Sequence, residues 1–363
     1  MKNFIKLYSF FLLFTVTSCS NKSNGTVTSY SNKSNGDVVI KPSVKENAKP
    51  LTLKEVPTGE ALDFARKCYV YDDVLVVINY DNSNKHLLEF YNINTMELKK
   101  QAILRGNGPD ELLLLLSRNY KDELHVDGGS TSGKLTQFNV VEFANNKDSK
   151  LEFVDYAFQS QHKYLLDNDK FLVVNPFRFV NKELGIEQDE DRFIILDATD
   201  RLLPNGRIDA INVNTGGIMV NSKEKKICYY SHDIAEIEIY DFDLNLIKTI
   251  TGPDDLRPGY TTLQNIMVNR TKTITEAYMD ACYDDSYMYL AYDGRTIDAM
   301  EYIQNNGEKA ESWVFKFDWD GNVIDVYKVS KEKEIVSLSV TKNGDLYLCC
   351  KEEGLIKLFK AEL

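Results

Sequence analysis

The sequence lacks the short motifs on which most enzymes depend. It contains no Gly-x-Ser-x-Gly nucleophile elbow and no glycine-rich phosphate loop followed by lysine and serine or threonine. Its few histidines are too far apart in sequence to form a local metal-binding spacing: His86, His125, His162 and His232. No two cysteines stand in a Cys-x-x-Cys pair, so zinc and thioredoxin-type chemistry have no support. No catalytic constellation is complete.

Positive charge is also scarce. The 363 residues carry 55 acidic and 43 basic side chains, a net charge of -12. Because an acidic surface repels a phosphate backbone, we expect no nucleic-acid partner. The chain is 43% hydrophobic, which is enough for a large core.

Long apolar runs are absent after the N-terminus, where residues 1–19 have the pattern of a secretion signal. Lys2 and Lys6 precede a short apolar stretch over residues 10–16, too short to span a bilayer. Val16-Thr17-Ser18-Cys19 resembles the bacterial lipobox, which implies that Cys19 is lipidated and that the lipid is the only membrane anchor. The alternative is an ordinary signal peptide with an incidental cysteine.

The sequence predicts that residues 20–50 form a flexible tether and that residues 51–363 form the folded domain. The tether contains "SNKSNG" twice, and such polar sequence buries too little apolar surface to fold. Five cysteines follow Cys19, an odd number that rules out full internal pairing: Cys68, Cys228, Cys282, Cys349 and Cys350. We expect buried free thiols, although an envelope compartment allows one disulfide.

Short strands recur along the folded domain. Runs of four or five β-branched and aromatic residues are bounded by Asp, Asn and Gly, and each is followed by two further apolar runs. The first apolar residue after each turn gives six anchors separated by 47 to 61 residues: Leu75, Leu124, Phe171, Ile227, Met288 and Leu346. This rhythm predicts an all-β, six-bladed β-propeller with four antiparallel strands per blade.

The two chain ends are expected to share the last blade. After Leu346 the chain is too short to supply an outer strand, whereas residues 51–56 form a strand without an anchor of its own. Placing that N-terminal strand on the last blade closes the ring and removes exposed sheet edges. The alternative, two stacked β domains, has no linker between its halves.

A glycine-proline corner, "RGNGPDELL" over residues 105–113, follows the outer strand of the first unit, and "TGPDD" over residues 251–255 follows that of the fourth. Glycine supplies positive φ angles and proline stiffens the exit, so a structural corner is the favoured interpretation. Crossing loops of this kind also gather at one mouth of the ring. The corner therefore supplies candidate ligand-binding residues: Gly106, Asn107, Gly108, Asp110 and Glu111.

The order outer strand, G-x-G-P-x-E, inner strand and "LHVDGG" resembles six-bladed propellers of lipoproteins from Bacteroidetes-type bacteria. These are TolB-like and related to NHL-repeat propellers. The resemblance covers residues 51–363 together with the signal, and its most specific part is Gly106, Gly108, Pro109 and Glu111. It implies the fold and no particular activity. The fourth unit has only part of the glycine-proline motif, and the other units lack it.

Pairs of acids at the ends of strands allow a second interpretation. Asp284 and Asp285 follow "DACY", and propeller lactonases bind a divalent metal through carboxylates at the channel mouth. The same pair is also an ordinary turn between strands. A calcium loop at Asp318 fails, because the sixth and twelfth positions are both valine, so we interpret it and "DFDLN" as hairpin turns.

The sequence favours a binding or protein-interaction module without evident catalysis, lipid-anchored to the outer membrane and facing the periplasm. Its expected partner is an envelope protein or an oligomeric nutrient such as a peptide or glycan. No cofactor is predicted. The alternative is a divalent-metal-dependent hydrolase or lactonase of the propeller type, for which Asp284 and Asp285 are candidate ligands.

Overall fold

In the computed structural model, strands form six small sheets arranged around an axis as the blades of a six-bladed β-propeller. The predicted fold is confirmed. The structure describes residues 30–32, 37–79, 85–108, 111–128, 133–158, 160, 162–167, 169–203, 205–211, 213–256, 258–269, 275–296, 298–299 and 311–363. In this part of the chain, no helix is long and apolar enough to cross a membrane.

Short elements precede the first blade. They are β1 (Tyr30–Asn32), β2 (Val38–Ile40), helix α1 (Ser43–Glu46), β3 (Lys49–Pro50), β4 (Thr52–Glu55) and a 3-10 helix (Gly59–Leu62). We refer to residues 37–55 as the N-terminal strap.

Blades one to three follow in chain order. Blade one contains β5 (Ala65–Tyr71), β6 (Val74–Asn79), β7 (His86–Asn92), β8 (Leu98–Arg105) and the short β9 (Glu111–Leu112). Blade two contains β10 (Leu116–Tyr120), β11 (Glu123–Asp127), β12 (Lys134–Asn139), helix α2 (Val140–Asn145) and β13 (Val154–Asp155). Blade three contains β14 (Lys163–Asp167), β15 (Lys170–Val174), an inserted hairpin of β16 (Phe179–Asn181) and β17 (Ile186–Gln188), and β18 (Phe193–Asp197).

Blades four to six complete the ring. Blade four contains β19 (Gly216–Asn221), β20 (Lys226–Ser231), β21 (Glu236–Asp241) and β22 (Leu246–Thr251), and a hairpin of β23 (Tyr260–Leu263) and β24 (Ile266–Asn269) follows it. Blade five contains β25 (Thr275–Tyr283), β26 (Tyr287–Thr296), β27 (Ser312–Asp318) and β28 (Val323–Val329). Blade six contains β29 (Glu334–Val340), β30 (Leu346–Glu352) and β31 (Leu355–Glu362).

The anchors recognised in the sequence all lie on the second strand of a blade, where the sheet is covered on both faces. Each is almost fully buried: Leu75, Leu124, Phe171, Ile227, Met288 and Leu346. Blade three differs from the expected four strands, because in the described residues its sheet has only β14, β15 and β18. Helix α2 was also not predicted; Asn139 caps it by accepting the Glu142 N–H at 3.0 Å.

The ring closes as predicted. Strand β4 pairs antiparallel with β31, with Leu53 opposite Ala361 and Glu55 opposite Phe359. The Val56 N–H continues the pairing by donating to the Leu358 carbonyl at 2.9 Å. An N-terminal strand therefore supplies the outer edge of blade six.

The N-terminal strap covers the outer edges of three successive blades. Strand β2 pairs parallel with β22 of blade four, β3 pairs parallel with β28 of blade five, and β4 completes blade six. Val38, Ile40 and Val44 are buried against blades four and five. Residues 37–50 were predicted to belong to the tether. They instead lie on the blades, because these three apolar side chains are buried in the core there.

The five cysteines after Cys19 are free and buried, as the favoured interpretation expected. Cys19 itself, with the rest of the signal segment, lies outside the described residues.

Candidate functional site

The first glycine-proline corner is organised around the carboxylate of Glu111. Its Oε2 accepts the Gly108 N–H at 2.8 Å, and a Cβ added to Gly106 would lie 2.0 Å from the same oxygen. Lys134 donates to the Gly108 carbonyl at 2.9 Å. Asn107 is exposed, and Asp110 lies outside the described residues. Glu111 therefore satisfies the corner internally, in agreement with the structural interpretation.

The second corner holds the N-terminal strap. Asp254 accepts from Lys45 of α1 at 2.5 Å and from the Tyr292 hydroxyl at 2.7 Å. Gly252 has a φ of 105°, and a Cβ there would lie 2.2 Å from the Ile40 carbonyl oxygen of β2. The fourth unit therefore uses its corner to dock residues from the beginning of the chain.

Asp284 and Asp285 form the turn between β25 and β26. The Asp284 carboxylate accepts the N–H groups of Ser286 and Tyr287 at 2.7 and 2.8 Å. Asp285 pairs with Lys121 at 2.5 Å and with Lys223 at 3.7 Å, and these contacts hold its pKa below the usual value. Both carboxylates are engaged in turn and surface contacts.

The structure does not bring these two sets of predicted residues together. The first corner precedes the inner strand β10, whereas Lys121, the partner of Asp285, follows the opposite end of that strand. The corner and the Asp284–Asp285 turn therefore lie at opposite ends of the propeller, which we call the corner face and the turn face. Among the described residues, no group of three His, Cys, Asp or Glu side chains is arranged to hold a metal ion.

Charged side chains gather instead around the axis, on inner strands of different blades. Lys67 of blade one pairs with Asp280 of blade five at 3.2 Å. Arg118 of blade two lies near residues of blades one, three and four. Its positive charge helps to lower the pKa of His162 and His232 and opposes the rise in the pKa of Tyr69 that burial causes. Lys67, Arg118 and Asp280 were not predicted from the sequence, although each lies on an inner strand whose last residues are buried.

The space around the axis is open towards the corner face. Along β5, β10 and β29 exposure falls from the first residues to the last, whereas β14, β19 and β25 begin with a buried residue. The opening therefore lies beside blades one, two and six. Lys67, Arg118 and Asp280 remain partly exposed although buried residues precede or follow them. Partial exposure in the middle of an inner strand indicates that water reaches the axis. We call the space lined by Lys67, Arg118 and Asp280 the axial funnel.

The turn face is closed by the end of β10. The Asn119 amide donates past blade one to the Leu338 carbonyl of blade six at 3.2 Å. The buried ring of Tyr120 packs against Tyr164 of blade three, with ring centroids 4.8 Å apart, and belongs to the same core as Tyr283 of blade five. The axial funnel is therefore blind.

Two imidazoles and a phenol lie near Arg118 where blades three and four meet. The rings of His162 and His232 are 5.9 Å apart in a T-shaped contact, and Tyr230 lies 5.8 Å from His232. Burial, with a further contribution from Arg118, lowers the pKa of His232 to about 3 and that of His162 well below its ordinary value. Both rings are neutral at physiological pH.

A small cap stands on the corner face beside blades three and four. It consists of the hairpins β16–β17 and β23–β24 and the segment between β18 and β19, which share a core of Phe179, Ala210, Val213 and Met267. Asp209 forms an isolated bridge with Ile266 and so joins that segment to the second hairpin. The cap makes the corner face asymmetric around the axial funnel.

The fold and the funnel define the class, a six-bladed propeller with a blind axial opening. No family model matches the sequence, and no curated protein is significantly similar to it. Among solved structures, a member of the DUF4221 family from Bacteroides vulgatus has a TM-score of 0.53 at 13% identity, covering 86% of this chain and 98% of that one. A Bacteroides fragilis protein has a TM-score of 0.48 at 11% identity, covering 90% and 98%. At 13% identity, the first likeness shows the fold alone.

Proposed function

We propose that this protein is a binding module of the cell envelope whose ligand enters the axial funnel from the corner face. The observation that carries the proposal is the convergence of Lys67, Arg118 and Asp280 from three different blades in a water-accessible space. Lys67 and Asp280 pair with each other at 3.2 Å, and charged groups that water can reach give a ligand polar atoms to contact. The buried end of β10 gives the ligand a floor to bind against.

The ligand we favour is a peptide or glycan chain, either free or part of another envelope protein. Tyr69 and Tyr230 lie near Arg118, and their buried rings form the wall behind its charged group. Charged and polar groups on a rigid apolar wall are typical of sites that bind sugars or peptides, because the polar groups fix the orientation of the ligand. An end of a chain fits a blind opening better than its middle does.

We further propose that Cys19 carries the lipid anchor and that the propeller faces the periplasm from the outer membrane. The support is the Val16-Thr17-Ser18-Cys19 pattern and the lack of an acidic run in Ser20-Asn21-Lys22. The relation to TolB-like and NHL-repeat propellers stays a prediction. Cell fractionation tests the anchor: Cys19→Ala should move the protein out of the membrane fraction, and an unchanged distribution would contradict it.

Ligand binding can be tested with the full chain carrying Cys19→Ala on peptide and glycan arrays. A matched pair of variants locates the site. Ser117→Trp places a bulky ring beside Arg118 in the funnel, and Ser286→Trp places the same ring on an exposed turn-face position. We expect the first variant to lose the captured ligands and the second to keep them. Equal loss in both, or no ligand captured by the parent chain, would count against the proposal.

The alternative function is a metal-dependent hydrolase, and adding metal ions to the protein tests it. Calcium and zinc are added separately to the same chain while the melting temperature is followed. A bound metal stabilises the folded state by mass action, by about 2.7 kcal/mol at a hundredfold excess over Kd. A shift that Asp284→Ala or Asp285→Ala abolishes would favour the hydrolase over the binding module.

A further inference from the structure

We propose that the axial funnel recognises an oxyanion on its ligand, a carboxylate or phosphate group, through His162 and Arg118. This inference rests on the proposed function, because it names the chemistry of the ligand in the same funnel.

His162 presents a hydrogen-bond donor that has no acceptor among the described residues. Its Nε2 accepts the Gly216 N–H at 3.0 Å, so the proton of the neutral ring must be on Nδ1. That Nδ1 has no hydrogen-bond partner among the described residues, although the side chain is only 3% exposed. A buried donor left unpaired is costly, and an oxygen of a bound ligand would satisfy it. The Nε2 of His232, in the neighbouring ring, is also without a partner in this part of the chain.

The charge around these rings is positive although the protein is strongly acidic. Arg118 and Lys163 act on His162, and Arg118 and Lys67 act on His232. Two carboxylates belong to the same group, Asp280 beside Lys67 and Asp127 beside Lys163. A third carboxylate, Asp233, is buried next in sequence to His232 and accepts from the Thr215 hydroxyl at 2.7 Å. The charged side chains that act on the two imidazoles are nevertheless all cations, and positive charge in a partly closed space attracts anions.

The backbone beneath this region is shaped by two consecutive glycines. A Cβ on Gly217 would lie 2.2 Å from the Tyr230 ring, and a Cβ on Gly216 would lie 2.1 Å from the Tyr230 carbonyl oxygen. The glycines thus let the Tyr230 ring lie against β19, and they let the Gly216 N–H reach His162. A side chain at either position would displace the ring and the donor that this inference uses.

A guanidinium with neutral imidazole donors is the chemistry of oxyanion recognition. A neutral hydroxyl would satisfy His162 but would not use the positive charge of Arg118. The oxyanion can come from an acidic sugar, from a peptide C-terminus or from phosphate. The probes therefore have to separate these sources.

The full chain carrying Cys19→Ala is titrated calorimetrically with galacturonate oligomers, with the neutral galactose oligomers of equal length, with a short peptide and its C-terminal amide, and with inorganic phosphate. We expect the acidic form of one pair to bind at least about tenfold more tightly than its neutral counterpart, or phosphate to bind where neither neutral form does. Equal binding of acid and neutral forms would overturn the inference while leaving the binding module intact. No binding of any probe would count against both, and array ligands that bind without an acidic group would overturn the inference alone.

A matched pair of variants tests where the anion binds. Arg118→Gln should lower the affinity for the acidic probe at least about tenfold and leave the affinity for the neutral probe unchanged. Lys342→Gln, which removes an exposed cation from the turn face, should leave both unchanged. Equal weakening by the two variants would overturn the assignment. Because Arg118→Gln could affect folding, His162→Gln is measured in parallel; it removes no charge, and unchanged affinity for the acid in a folded His162→Gln protein would also overturn it.

Discussion

Asp280 on blade five joins Lys67 on blade one across the inner strand of blade six, at 3.2 Å. The second carboxylate oxygen of Asp280 accepts the Leu338 N–H of that strand at 2.8 Å. Three consecutive blades therefore share one carboxylate at the axis. Asp280→Ala would leave a partly buried ammonium and a backbone N–H without this acceptor. We expect a loss of about 1–3 kcal/mol in the free energy of unfolding.

Urea unfolding followed by tyrosine and tryptophan fluorescence measures that loss. Asp320→Ala is the matched control, because Asp320 pairs with Lys226 at 2.6 Å but its side chain is 74% exposed. We expect less than about 1 kcal/mol for the control. Equal losses in the two variants would show that Asp280 does not link the blades.

The strap can be released from blade four by a single methyl group. Gly252→Ala puts a Cβ 2.2 Å from the Ile40 carbonyl oxygen. This oxygen belongs to the backbone, so it cannot move aside as a flexible side chain could. Strand β2 must then move off β22. We expect a loss of more than about 2 kcal/mol, together with faster proteolysis between residues 37 and 50.

Gly344→Ala provides the control for backbone strain alone. Gly344 also has a positive φ, 81°, but a Cβ there meets nothing within 4 Å. Its cost should stay near about 1 kcal/mol, with no new cleavage in the strap. If Gly252→Ala behaves in the same way, the contact with Ile40 does not hold the strap.

The ring was predictable because its repeat depends on local rules. Leu75 and the five other anchors stand next to turn residues and are apolar because each second strand is covered on both faces. The closing strand was predictable from the missing outer strand after Leu346. Residues 38–50 gave no such signal, since the few apolar side chains of β2 and α1 acquire a partner only when the ring has formed.

The candidate site was not predictable for the same reason. Arg118, Lys67 and Asp280 belong to strands far apart in sequence, and only closure of the ring brings them together. The inserted hairpins β16–β17 and β23–β24 did leave a signal, because two of the three longer anchor spacings, from Phe171 to Ile227 and from Ile227 to Met288, contain them. The spacings indicate extra residues in these units but do not indicate where in the blade those residues lie.

The first glycine-proline corner should depend on Glu111 for its shape. Glu111→Ala removes the acceptor of the Gly108 N–H and should cost about 1–2 kcal/mol, whereas Glu111→Gln keeps an oxygen and should cost less. Chemical denaturation ranks the two variants. If both keep full stability and Glu111→Ala instead loses captured ligands on the arrays, the corner is a ligand loop.

The thiols should be unreactive in the folded protein. All five cysteines after Cys19 are buried and free, and burial raises the pKa of the Cys282 thiol well above its ordinary value. In the Cys19→Ala chain, a thiol reagent should label no cysteine under native conditions and five in denaturant. Fewer than five labels in denaturant without reductant would reveal a disulfide.

Stability should fall as the pH falls below about 6.5, in part because of His125. Its ring is buried in blade two next to Tyr120, and neither nitrogen has a hydrogen-bond partner among the described residues. Burial lowers its pKa from 6.5 to about 3; Asp127 opposes this shift, whereas Lys163 and Arg118 reinforce it. The folded ring stays neutral while the unfolded ring takes up a proton. The stability that the neutral ring supplies is therefore complete above about pH 6.5 and is lost on acidification.

His125→Phe removes this proton uptake and keeps a ring of similar shape. The free energy of unfolding is measured by urea denaturation at several pH values between 4 and 7. One proton corresponds to a slope of about 1.4 kcal/mol per pH unit, so the variant's curve should be flatter than that of the parent by up to that amount. Parallel curves would mean that the imidazole is protonated in the fold, and Asp127 would then be its partner.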